Sequence, residues 1–137
     1  MTCIEIHDGL FGVNYVLCYN IKSETDNQKL KKILSDRYKY SVVFQPLSED
    51  ENGLCQPLET KDGSPLILIL LRSFKRNGYW YGALCHECFH ATEYAFESRG
   101  IKYSKHTKEV FAYNIHMLIN NFFDKTLALK IKKHIKI

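Results

Sequence analysis

The chain carries an uninterrupted apolar run, Leu66-Ile67-Leu68-Ile69-Leu70-Leu71. The run has the length of one strand, and a strand that is apolar on both faces is typical of the middle of a sheet covered on both sides. A turn is predicted just before it at Asp62-Gly63. We therefore expect this run to form a central strand against which the rest of the domain packs.

The first twenty residues predict a β-hairpin beside that strand. Ile4 and Ile6 alternate with polar neighbours, and residues 11–19 are rich in Val, Tyr and Leu. Asp8-Gly9 between the two segments supplies a turn. The hairpin and the central strand together predict a small sheet.

A helix is predicted to follow the hairpin at residues 23–38. Leu30, Ile33 and Leu34 recur at helical spacing and form an apolar stripe, while the lysines between them face solvent. A further short strand is expected at residues 40–44, where β-branched residues are frequent.

The motif that carries chemistry is His86-Glu87-Cys88-Phe89-His90. Residues 84–99 contain neither Pro nor Gly, so a helix is predicted there, with Gly100 as its stop. Residues four apart on a helix lie one turn apart and within about 40° of each other. Two imidazoles placed in this way can hold one Zn²⁺, and the Glu between them can activate a water on the metal.

The immediate neighbours of this motif carry no charge. Ala83, Leu84 and Cys85 precede it, and Ala91 and Thr92 follow it. A helix in a protein interior carries charges only where a metal or substrate can pair with them. The flanks therefore favour a metal-binding helix in the core over a chance match whose histidines bind nothing.

The motif and its flanks resemble the zincin metallopeptidases, whose signature is H-E-x-x-H between uncharged residues. The resemblance implies that His86 and His90 are zinc ligands and that Glu87 is the general base. The metzincin branch is excluded, because the positions of its Gly and of its third His hold Glu93 and Phe96. The resemblance covers residues 79–123 and says little about the substrate.

Two carboxylates compete for the role of third ligand. Glu93 follows His90 by three residues on the same helix, whereas Glu109 lies on a predicted second helix, after eighteen intervening residues. Three ligands on one straight helix splay along its axis, so tetrahedral geometry favours Glu109. The gluzincin branch, which this spacing resembles, takes its third ligand from a Glu on a later helix.

Glu109 also begins a short pattern of its own, Glu109-x-x-Ala112-Tyr113. Small, poorly characterised phage and bacterial proteins pair a similar pattern with H-E-x-x-H. The hydroxyl of Tyr113, one turn after Glu109, could stabilise an oxyanion. The alternative is that Tyr113 is a buried aromatic whose hydroxyl has a structural partner.

These elements predict one α+β domain over residues 1–137. We expect a small mixed or antiparallel sheet packed on two core helices that carry the metal site. The second helix is predicted to end near Phe123, and residues 126–137 read as a strand or as a helical extension.

Composition limits the surroundings and partners of this domain. There are five cysteines, an odd number at irregular spacings, and the first residues lack a basic and apolar leader. Reduced thiols and a cytoplasmic location are therefore expected. No apolar run is long enough to span a membrane. The net charge of +4 is mild, so nucleic-acid binding is not expected.

The resulting functional prediction is zinc-dependent hydrolysis of a peptide bond in a peptide or protein substrate. One alternative is a non-catalytic protein with a structural zinc site that His116 or Cys85 completes. A second alternative is a module that binds a partner or nucleic acid through the lysines of residues 29–39 and of the tail.

Overall fold

A computed structural model describes residues 1–8, 11–38, 44–58 and 63–135, without the side chains of residues 38 and 130–135. In these residues four strands and three helices form an α+β fold. They are β1 (Thr2–Asp8), β2 (Val13–Tyr19), α1 (Glu24–Tyr38), β3 (Gly53–Leu58), β4 (Leu66–Leu71), α2 (Gly78–Glu97) and α3 (Lys108–Ile135).

The sheet is mixed, and β4 lies inside it as the apolar run predicts. The strand order is β1-β2-β4-β3, with β2 and β4 parallel and both outer pairs antiparallel. All six residues of β4 are buried. The predicted central strand and the antiparallel pairing of the predicted hairpin are confirmed, whereas Gly9 of its predicted turn lies outside the described residues. Among the described strands, β1 and β3 are the two edges.

Helices cover both faces of the sheet. Alternate residues of a strand point to opposite faces, so Leu17 and Ile69 pack with α2 and α3, whereas Val16 and Leu68 pack with α1. The helix predicted at residues 23–38 is confirmed, and Leu30 and Leu34 of its predicted stripe form a second core on the face opposite α2, whereas Ile33 is exposed.

The two long helices form a hairpin whose turn follows a sequence signal. Gly100 adopts a positive φ of 71°, and the amide of Ile101 donates to the carbonyl of Phe96 at 2.8 Å. This is the expected use of a glycine that ends a helix. Beyond the turn, Phe111 packs edge-on against Phe96, with ring centroids 4.5 Å apart.

Cys3 and Cys18 face each other across β1 and β2 and form a disulfide. We expected all five thiols to be reduced, so this pairing corrects that expectation. Structural disulfides persist mainly in oxidising surroundings, and the pairing therefore does not favour the cytoplasmic location, which stays a prediction. Among the described residues, no helix is both long and apolar enough to cross a membrane.

Other elements differ from the prediction in extent. The second helix of the hairpin continues through residue 135, so the tail is a helical extension and not a strand. Strand β3 was not predicted from the sequence. Of the strand expected at residues 40–44, residues 40–43 lie outside the described part of the chain, and Phe44 is not in a strand.

Candidate metal centre

His86 and His90 meet on α2 as the spacing of the motif predicts. Their Nε2 atoms are 3.1 Å apart, and their rings lie edge to face with centroids 4.7 Å apart. Two nitrogens bound to one tetrahedral zinc would lie roughly 3.3 Å apart, given Zn–N bonds of about 2.05 Å. A hydrogen bond between the rings gives a similar distance, so the pair fits a shared ion or a shared proton.

His90 has a second contact on its other ring nitrogen. Its Nδ1 lies 3.0 Å from Oε1 of Glu93, and the two side chains are 42% and 46% exposed. Both nitrogens of His90 are therefore occupied, one by an acid and one by His86.

Glu87 lies on the adjacent, buried side of the helix, with only 7% of its surface exposed. Burial raises the pKa of the Glu87 carboxyl, and the neighbouring His86 and His90 oppose this rise. A raised pKa brings a carboxyl closer to the range in which a general base can both take and return a proton near neutral pH.

A cleft of about 370 Å³ opens between α2 and the edge strand β3. It contains both His86 and Glu87, so an imidazole and the buried carboxylate face the same space. Across it, the side-chain amide of Asn52 donates to the hydroxyl of Tyr79 at 2.6 Å. Its lining consists of Asn52, Gly53, Tyr79, Gly82, Ala83, His86 and Glu87.

Arg72 holds the loop that leads into β3. Its guanidinium donates to the carbonyls of Ser48 and Glu51, and also to that of Ile21. Its backbone amide donates to the carbonyl of Asn52 at 2.9 Å. These bonds fix the position of Asn52 beside the cleft.

Helix α3 packs on a different side of α2 from the histidines. The amide of Asn114 donates to Oγ1 of Thr92 at 2.9 Å, and Thr92 lies about 160° around α2 from His90. Glu109 and Tyr113 are exposed on α3. The structure does not bring either residue to the histidine pair, so Glu109 as third ligand and Tyr113 as an oxyanion donor stay predictions.

Among the described residues, no third metal-ligating side chain joins the histidine pair. Within the part of the chain that the structure describes, no three His, Cys, Asp or Glu side chains converge in a way that could hold a metal ion. His116 and Cys85, which a closed structural site would need, are both exposed.

The motif helix is only half buried, which corrects the expectation of a helix running through the interior. Leu84, Cys88 and Ala91 are buried against the sheet, whereas Cys85 and Phe89 face solvent, and Phe89 is 43% exposed. The uncharged residues around the motif therefore lie on two sides of α2, some in the core and some on an exposed face.

Sequence reasoning missed the residues that form the opposite wall of the cleft. Asn52 and Gly53 follow the acidic residues 49–51 and belong to no motif, and Arg72 directly follows the apolar run. Pro57 argues against a central strand, but it is tolerated at a sheet edge. The signal available in the sequence for β3 was Leu54-Cys55-Gln56-Pro57-Leu58, a stretch of strand length that contains a proline, as an edge strand can.

No protein-family model, curated protein or solved structure matches the chain.

Proposed function

We propose that this protein is a zinc-dependent hydrolase that cleaves peptide bonds, with His86 and His90 as metal ligands and Glu87 as general base. The observation that carries the proposal is the 3.1 Å separation of the two Nε2 atoms beside a cleft that also contains the buried Glu87. When bound, zinc supplies a Lewis acid that polarises a carbonyl and lowers the pKa of water.

The two histidines bind the metal through their neutral Nε2 atoms, because a protonated ring nitrogen has no lone pair to offer. One turn of α2 sets their spacing, and packing of Leu84, Cys88 and Ala91 on the sheet fixes the helix that carries them. The ligand pair is therefore held by the core of the domain and not by a loop.

Glu87 takes a proton from the attacking water and passes it to the leaving amine. Its carboxylate lies in the same cleft as His86, on a turn of helix that is already fixed. Burial weakens its solvation and so makes it a stronger base than an exposed carboxylate.

A peptide is the substrate class that the surroundings of the cleft support. Strand β3 is an edge of the sheet, and its Gly53 lines the cleft. An edge strand can pair through its outer backbone donors and acceptors with an extended peptide. A peptide aligned in this way would pass beside His86 and Glu87.

Variants of the motif test the proposal. His86→Ala and His90→Ala should each abolish stoichiometric zinc binding, measured by metal analysis and by titration with a competing chelator. Glu87→Gln should retain zinc, but its rate of peptide hydrolysis should fall about 10²–10⁴-fold. Glu97→Gln, which changes an exposed acid on the same helix, is the matched control and should resemble the wild type.

Two results would count against the proposal in different ways. Wild-type protein that binds no zinc would remove the metal site. If the protein binds zinc but Glu87→Gln hydrolyses peptides as fast as the wild type, Glu87 is not the general base and any activity belongs to another site.

A further inference from the structure

His90 is the one residue of the motif whose ring has a side-chain partner at each nitrogen. Glu93 lies at Nδ1, 3.0 Å away, and His86 lies at Nε2, 3.1 Å away. Glu93 therefore approaches the edge of the ring that is turned away from His86. A carboxylate in this place acts on His90 itself and is not positioned as a third donor beside the two Nε2 atoms.

We propose that Glu93 is a positioning residue that fixes His90 in its Nδ1–H tautomer, and that His86 holds the opposite, Nε2–H tautomer in the metal-free protein. An ionised carboxylate can only accept hydrogen bonds. The contact between Glu93 and His90 therefore requires the hydrogen on Nδ1, which leaves a lone pair on Nε2 of neutral His90.

The contact between the rings then assigns the tautomer of His86. Two neutral imidazoles whose Nε2 atoms are in contact need one donor and one acceptor. Since His90 supplies the lone pair, Nε2 of His86 carries the hydrogen. The two histidines are thus unequal: Nε2 of His90 offers a lone pair to a metal, whereas His86 must change to its Nδ1–H tautomer before its Nε2 can do so.

This inference rests on the proposed function where it concerns metal affinity, but the tautomers can be measured without any metal. A partner that orients a ligating histidine and increases its basicity typically changes metal affinity by 10–100-fold. An exposed acid–histidine pair contributes little to folding, so variants of Glu93 should fold normally. The effect of Glu93 is therefore expected in the ring and in metal binding, not in global stability.

The first experiment is a ¹⁵N–¹H correlation spectrum of the metal-free protein at a pH where its histidines are neutral, with the His90 signals assigned by their loss in His90→Asn. We expect a protonated Nδ1 and an unprotonated Nε2 in His90, and the reverse in His86. Glu93→Ala should shift His90 toward the Nε2–H form, whereas Glu93→Gln, whose carbonyl still accepts, should preserve the wild-type pattern. A wild-type His90 protonated at Nε2 would overturn the inference.

The second experiment measures zinc affinity by competition with a chelator. Glu93→Ala should bind zinc 10–100-fold more weakly, Glu93→Gln should lie close to the wild type, and the control Glu97→Ala should be unchanged. If Glu93→Gln lost zinc as completely as Glu93→Ala, Glu93 would be a direct ligand and the positioning role would be wrong. If wild-type protein bound no zinc, the proposed function would fail while the predicted tautomers would still be supported by the spectrum.

Discussion

Gly53 of β3 lies directly against Glu87 of α2. A Cβ atom added at position 53 would be 3.0 Å from Oε1 of Glu87 and 3.2 Å from Cδ2 of Leu71. The absence of a side chain at Gly53 therefore leaves the space that the carboxylate occupies. Strand β3 and helix α2 therefore pack closely at Glu87, the residue proposed as the general base.

This fit predicts the effect of Gly53→Ala. The added methyl group should displace the Glu87 carboxylate and lower peptide hydrolysis at least about tenfold, at a stability cost of roughly 1–3 kcal/mol typical of overpacking. Zinc affinity should stay near the wild-type value, because the histidines are untouched. Steady-state kinetics and urea unfolding measure the two effects.

Gly78→Ala is the matched control for that substitution. Gly78 is the first residue of α2, and an added Cβ would meet no atom within 4 Å. Its hydrolysis should equal that of the wild type. Full activity in Gly53→Ala would mean that the position of Glu87 does not depend on β3.

Local patterns were enough to predict most of the fold and the pairing of His86 with His90. Buried residues follow from the local sequence pattern in three elements: the apolar run of β4, the alternation of β1, and Leu30 and Leu34 of α1. The one-turn spacing of the histidines is likewise a property of the helix alone. These predictions needed no knowledge of distant contacts.

The side of α2 on which α3 packs could not be predicted in the same way. That arrangement depends on contacts between distant residues, among them the bond from Asn114 to Thr92. The spacing of Glu109 from the motif says nothing about these contacts. The position of Glu109 along the chain therefore suggested that it is a metal ligand, whereas the packing of α3 places its side chain on an exposed face of that helix.

The role of Glu109 can be decided by zinc affinity. If Glu109 stays on the exposed face where the packing of α3 against Thr92 places it, Glu109→Ala should bind zinc within about threefold of the wild type, well below the 10–100-fold loss typical of even an indirect partner. His90→Ala, measured alongside it, should lose binding. A comparable loss in Glu109→Ala would show that the first turn of α3 reaches the metal, as the sequence predicted.

The disulfide predicts a definite pattern of thiol reactivity. Cys55, Cys85 and Cys88 are free, and of these only Cys85 is exposed. Burial raises the pKa of both Cys55 and Cys88, so few of their thiols ionise and react. A chromogenic disulfide reagent should therefore modify one thiol quickly in the native protein, three after denaturation, and five after denaturation with prior reduction.

The double variant Cys3→Ser/Cys18→Ser provides the control for this count. It should give three thiols after denaturation whether or not it has been reduced. Five reactive thiols in unreduced wild-type protein would show that β1 and β2 are not cross-linked.

Because Tyr15 is buried, we expect the folded protein to lose stability in alkali. Tyr15 is fully buried on β2, where burial raises its pKa from 10.0 to about 12, although the hydrogen bond from Asn114 opposes this rise. The unfolded chain therefore releases the phenolic proton at a lower pH than the folded protein does. Its contribution to stability is complete below pH 10 and falls as the pH rises toward 12.

Tyr15→Phe isolates this contribution, because both proteins share every other group that titrates in alkali. Between pH 10 and 12, the wild-type free energy of unfolding should fall relative to that of Tyr15→Phe by about 1.4 kcal/mol per pH unit. Urea unfolding at pH 8 and at pH 11 measures this difference. Since Asn114 keeps its 2.9 Å bond to Thr92 in the variant, the two proteins should be close in stability at pH 8. Parallel pH dependences would mean that the Tyr15 hydroxyl is open to solvent and that the buried contact joining β2, α2 and α3 does not form.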